Sequence, residues 1–134
     1  MTTAEVIVFP DVQALLCDYL REGLLAHGYD VFVGSKVPTD RPDEFVTVQV
    51  TGGFRRSVKI DVPSVVVDSW GGSEQGASDL AEVVRGLIFA LDRYQGTQVY
   101  DVSEGRRPVN LPDPKSSHER FSATYSIPVS GYAL

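Results

Sequence analysis

The chain has 134 residues, with 18 acidic against 12 basic side chains and a formal charge of -6. The acid excess argues against a protein that grips nucleic acid through its phosphates, because counterion release needs a dense basic face. A hydrophobic share of 43% supplies one ordinary core and not two, so a single domain spanning 1–134 is expected.

One cysteine, Cys17, excludes an internal disulfide and a multi-cysteine metal site, and it is compatible with a reducing cytosol. The opening residues MTTAEVIVFPD carry an early glutamate and no basic segment. No apolar run approaches the ~20 residues of a membrane span. A soluble chain with no membrane contact is the expectation.

In chain order, residues 10–27 place Val12, Leu15, Leu16, Tyr19, Leu20 and Leu24 at helical spacing, with Asp11 at the start and Gly28 past the end. Residues 29–34 read as a short strand, and the proline-rich, charged stretch 36–44 as an exposed loop. Strand-type sequence over 44–50 and 54–60 flanks the pair Gly52 and Gly53, which reads as the tight turn of a hairpin. Pro63 then opens SVVVDSW, whose unbroken valines predict a central strand buried on both faces.

Residues 73–94 predict a second helix with Ala77, Leu80, Ala81, Val84, Leu87, Ile88 and Leu91 as its apolar stripe. Phe89 lies beside a second set, Val83, Gly86 and Ala90, and so offers a face for a neighbour. A short strand over 97–102, an extended arm over about 103–119 and a long terminal strand over 120–131 complete the order. Long structureless loops are usually functional or disordered, so the arm is expected to be mobile in a free subunit. The order predicts an α+β fold, two helices packed on one face of a mostly antiparallel sheet.

Few residues suggest catalysis. A phosphate-binding loop needs its glycines between a strand and a helix, whereas TGGFRRSVKI leads from strand to strand. Arg55, Arg56 and Lys59 are either a solvated strand face or a contact to a partner's carboxylates. His27 suits a helix C-terminus, and His118 has no second ligand at metal-binding spacing. Cys17 and His27 stand about 15 Å apart along a helix at 1.5 Å per residue. Asp61, Asp68 and Glu119 could supply paired carboxylates, and Trp70, Tyr94, Phe121 and Tyr125 a stacking surface, although core packing and the net charge oppose the latter. No enzyme activity, cofactor or metal is expected.

FPDV before a helix, VPTDRPDEFVTVQVTGG, DVPSVVVDSWG before an alanine-rich helix, PDP and ERFSATYSIPVSG, in that order over nearly the whole chain, resemble the tail terminator or head-to-tail joining proteins of long-tailed bacteriophages, particularly those of actinobacterial hosts. The resemblance implies a non-enzymatic virion protein that caps the tail tube as a hexameric ring, ends tail polymerisation and offers a surface to the head connector. It carries over Gly52, Gly53, Trp70, Pro112, Pro114 and Arg120 as architectural positions. The implied partners are further copies of the chain, the tail tube protein and a head completion protein. The place is the head-proximal end of the tail, with assembly in the host cytoplasm. An acidic lumen would let DNA slide through without specific binding. Arg106 and Arg107 on the arm, with Arg55 and Arg56, are then the expected subunit or tube contacts. Neighbouring neck or minor tail proteins, a small adaptor or ligand-binding domain, and an enzyme with an unrecognised site are the alternatives.

Overall fold

The computed structural model describes residues 4–134. Helix α1 (Val12–Ala26) starts where the Asp11 carboxylate accepts the Ala14 N–H at 3.0 Å, which satisfies one of the free amides of a first turn. It ends before Gly28, whose φ of 88° few other residues adopt. Helix α2 (Glu74–Phe89) is capped in the same way by Ser73, whose hydroxyl accepts the Gly76 N–H at 3.0 Å.

The main sheet is built from β2 (Phe32–Gly34), β3 (Phe45–Arg55), β4 (Ile60–Gly71), β7 (Ser103–Asn110) and β8 (Glu119–Ser126) in the order β2-β3-β4-β8-β7, with β9 (Val129–Ser130) also pairing β4. Strand β2 runs parallel to β3, and the other pairings are antiparallel. Two small ribbons stand apart: β1 (Ile7–Val8) with β10 (Tyr132–Ala133), and β5 (Arg93–Tyr94) with β6 (Thr97–Gln98). Both helices lie on one face of the sheet, α1 against β2 and β3, α2 against β4, β7 and β8. This is the expected α+β arrangement.

Strand periodicity explains the core. Val46, Val48, Val65, Val67, Ala123 and Tyr125 alternate onto the helix side and meet Leu16, Leu20, Leu24, Leu80, Val84 and Ile88. The helices touch closely because Gly23 has no Cβ; one built there would lie 2.8 Å from Leu87 Cδ2. Tyr19 fixes the same contact by donating its hydroxyl to the Leu87 carbonyl at 2.5 Å. Leu87 is therefore half-buried at the helix–helix seam and not on the sheet, where the helical stripe alone had put it.

Several boundaries differ from the sequence expectation. Gly52 and Gly53 are not the hairpin turn: they lie within β3, opposite Ser64 and Pro63, next to a bulge between Val50 and Gly52. Their φ values of 156° and 124° serve that bulge, and a Cβ on Gly53 would meet the Val62 carbonyl and approach Pro63 Cα to 2.7 Å. The turn comes later, over residues 56–59. The valine run is central in the sheet but buried on one face, with Val65 and Val67 inside and Val66 half-open.

The expected arm over 103–119 is half strand. Residues 103–110 form β7 at the sheet edge, with register shifts around Gly105 and Pro108 that a polar, proline-bearing edge strand accommodates. Arg85 on α2 holds it through a two-toothed pair with Glu104 at 2.8 and 2.9 Å. The strand expected over 97–102 shrinks to β6 and one bridge from Val99 to Val129, and the terminal strand breaks after Ser126, ahead of Pro128.

Candidate functional site

The sheet face away from the helices is closed at one end by two loops. Residues 35–44, which carry the chain from β2 to the parallel β3, cross this face and meet residues 111–118. Arg41 donates to Asp113 at 2.8 Å and to Ser116 Oγ at 3.0 Å, and His118 Nε2 lies 3.0 Å from the Pro42 carbonyl. Arg120 donates to the Leu111 carbonyl at 2.8 Å. The Arg41 guanidinium, the Lys115 N–H and the Ser116 hydroxyl hold the Asp113 carboxyl far below the usual carboxylate range.

Trp70 lies beneath this latch. Its ring stacks on Phe45 at 5.1 Å and 13°, carries the Arg41 and Arg120 guanidiniums at 5.6 and 5.2 Å, and donates its N–H to Thr47 Oγ1 at 3.2 Å. Trp70 and Arg120 are in contact here, and Pro112 and Pro114 flank Asp113 in the loop that forms the latch. An open cavity of about 460 Å³ lies beside them, lined by Lys36, Gln49, Asp68, Trp70, Lys115 and Arg120 among others. The Asp68 Oδ1 atom is buried with no hydrogen-bond partner among the described residues.

At the opposite end of the sheet, β3 runs out into solvent and turns back into β4, whose first residues Ile60 and Asp61 pair with β9. Every residue from 49 to 59 is exposed, and Phe54 and Val58 are 62% and 64% open to solvent. Arg55 is not free to reach a partner through all its donors: it bonds the Ser57 and Val58 carbonyls at 3.1 and 2.6 Å and lies 5.0 Å over the Phe9 ring. The Arg56 and Lys59 side chains make no ion pair or hydrogen bond among the described residues.

Phe89 closes the end of α2, 48% exposed and edge-on to Tyr125 at 6.2 Å. It lines an open cleft of about 490 Å³ whose other wall is residues 98–102, including Tyr100 and Asp101, with Asp92 at the base of the turn between them. Arg106 and Arg107 point apart. Arg106 donates to Ser122 Oγ at 2.9 Å, and Arg107 lies 3.7 Å from Glu82 on α2.

The catalytic alternatives are not assembled. Asp61 and Asp68 lie seven places apart on β4, so they face opposite sides of the sheet, about 23 Å apart at 3.3 Å per residue. Glu119 pairs with Gly71 at the far end of the same strand. The four aromatics of the stacking reading are dispersed: Trp70 is covered on the open face, Tyr125 is buried under α2, Tyr94 packs edge-on to Tyr19, and Phe121 lines a depression beside Glu74 and Ser78. Cys17 is in the core, and burial pushes its thiol up. His27 caps α1 with its Nδ1 2.8 Å from the Gly23 carbonyl. Among the described residues no three His, Cys, Asp or Glu side chains gather as a metal site, and no helix is long and apolar enough to cross a membrane.

Exposure at Phe54, Val58, Tyr100 and Asp101 carries no mark in a single sequence, since strand periodicity alone reads Phe54 and Val58 as core candidates. The Arg41–Asp113 latch was equally hidden, because both residues lie in loops far apart in the chain.

No protein-family model matches the chain, and no curated protein matches it. Among solved structures it is similar to a chain described as "Virion of native gene transfer agent (GTA) particle", with a TM-score of 0.66 and 15% identity, over 90% of this chain and 95% of that one. At that identity the likeness is one of fold, extending over nearly the whole domain.

Proposed function

We propose that the chain is a structural component of a phage-type virion, and within that class a tail terminator: a hexameric ring that caps the tail tube, stops its growth and presents a surface for head joining. The observation that carries this reading is the fold likeness to a chain of a virion particle over nearly the full length of both. The resemblance of the sequence segments around Trp70 and Arg120 to tail terminators points the same way, and those segments meet in one latch. The exposed hairpin tip offers a contact for a ring, because Phe54 and Val58 stand in solvent outside the chain's own core. The net charge of -6 suits a lumen that DNA crosses without sticking.

Complementation tests the role. A phage lacking the gene is supplied with the wild-type chain or with none, and its tails are imaged. Tails of uncontrolled length without heads, corrected by the wild-type chain, are the expected outcome. Tails of normal length that fail only to join heads would assign it to another neck or minor tail component.

The cavity at Asp68 favours a second reading, a small non-catalytic ligand-binding or adaptor domain, because a buried carboxylate oxygen without a partner is costly unless something meets it. Retention of full tail function by Asp68→Asn would remove that reading.

A further inference from the structure

The exposed hairpin tip and the cleft at Phe89 are opposite in chemistry. The tip presents Phe54 and Val58 with Arg56 and Lys59, and the cleft presents Phe89 and Tyr100 with Asp92 and Asp101. Each is a small aromatic and aliphatic patch rimmed by one sign of charge, and the signs are complementary. Tyr100 is itself 40% exposed, so both walls of the cleft leave apolar surface in water.

Their placement also fits. Val129 pairs with Asp61 at the base of the hairpin and bridges to Val99 in the wall of the cleft. Tip and cleft therefore sit at the same end of the sheet. Tip and cleft share no residue, and a heterologous contact joins two different surfaces of neighbouring copies, as this pair would.

We infer that the β3–β4 tip of one copy seats in the cleft of a second copy of this chain, with Phe54 and Val58 against Phe89 and Tyr100, and with Arg56 and Lys59 facing Asp92 and Asp101. This contact rests on the ring reading above and names the surfaces that make it. The aromatic anchors supply the binding and the charges set register and partner choice.

The test is cysteine cross-linking between copies, run on the purified chain over a range of concentrations, alone and on purified tail tubes. Val58→Cys and Tyr100→Cys are placed in one chain whose own Cys17 is buried. Oxidation is expected to give a ladder of covalent multimers, with none from either single variant. In parallel, Arg56→Glu with Lys59→Glu, or Asp92→Lys with Asp101→Lys, should raise the concentration for half-assembly roughly tenfold or more, and all four together should restore it in part. These positions are exposed, so circular dichroism should show each variant folded.

Assembly without a ladder, unchanged by either charge reversal, would overturn the contact and leave the ring. Covalent dimers from Val58→Cys alone would overturn it in favour of a tip-to-tip pair. A chain that stays monomeric both free and on tubes would remove the ring and this contact together.

Discussion

The Arg41 guanidinium meets the Asp113 carboxylate at 2.8 Å across 72 positions of sequence, and this pair joins the two loops that close over Trp70. It has a measurable pH signature. Asp113 is held below its ordinary value of 3.8, so the latch contributes its full stability above that value and loses it as pH falls through the lower, folded-state value. Asp113→Asn should lower the melting temperature at pH 7, and the gap to wild type should narrow as pH is brought below 3.8. Trp70, the one tryptophan, should shift its emission to the red in the variant. A gap of constant size down to pH 2 would mean that the carboxylate does not hold the latch.

Two glycines should respond in opposite directions to alanine. Gly53 has a φ of 124° and the backbone of β4 where its Cβ would go, so Gly53→Ala should cost about 1 to 3 kcal/mol in hairpin stability, read by amide exchange of residues 50–62. Gly86 is exposed inside α2 with open space around it, so Gly86→Ala should raise stability to denaturant by roughly 0.5 to 1 kcal/mol. Equal and negligible effects would place the bulge elsewhere.

The helix faces can be told apart by truncation. Ile88 is fully buried on the sheet, and Ile88→Ala should destabilise by about 2 to 5 kcal/mol. Leu87 fills the half-open seam against Gly23, where the chain can relax and water can enter, so Leu87→Ala should cost less, about 1 to 2 kcal/mol. The reverse order in urea titrations would exchange the two faces of α2.

Periodicity made both helices and the layer arrangement legible, because Asp11 and the leucine stripes act through local geometry. Helix α2, however, starts after its Ser73 cap and ends at Phe89, short of the expected residue 94, where Arg93 and Tyr94 form β5 instead. The hairpin was legible but its turn was misplaced. A Gly-Gly pair satisfies a tight turn and a strand bulge equally well, and only the pairing of Gly53 with Pro63 decides between them. Strand β7 was read as an arm because a mostly polar edge strand, broken by Gly105 and Pro108, has no alternating apolar pattern. Arg106 and Arg107 were legible as a basic pair, but adjacent residues on a strand diverge, and they serve Ser122 and Glu82 separately. The aromatic cluster at Trp70 was visible as residues and invisible as a site, since the cations that cover it come from Arg41 in one loop and Arg120 on another strand.

The central claim, that the chain is a virion component at the head-proximal end of the tail, is tested most directly by locating it in particles. A tag after Leu134, which is 83% exposed, can be labelled with gold in purified virions and imaged by electron microscopy. One cluster of gold at the junction of head and tail in each particle is the predicted result. Purified, infectious particles that contain none of the tagged chain would contradict the account.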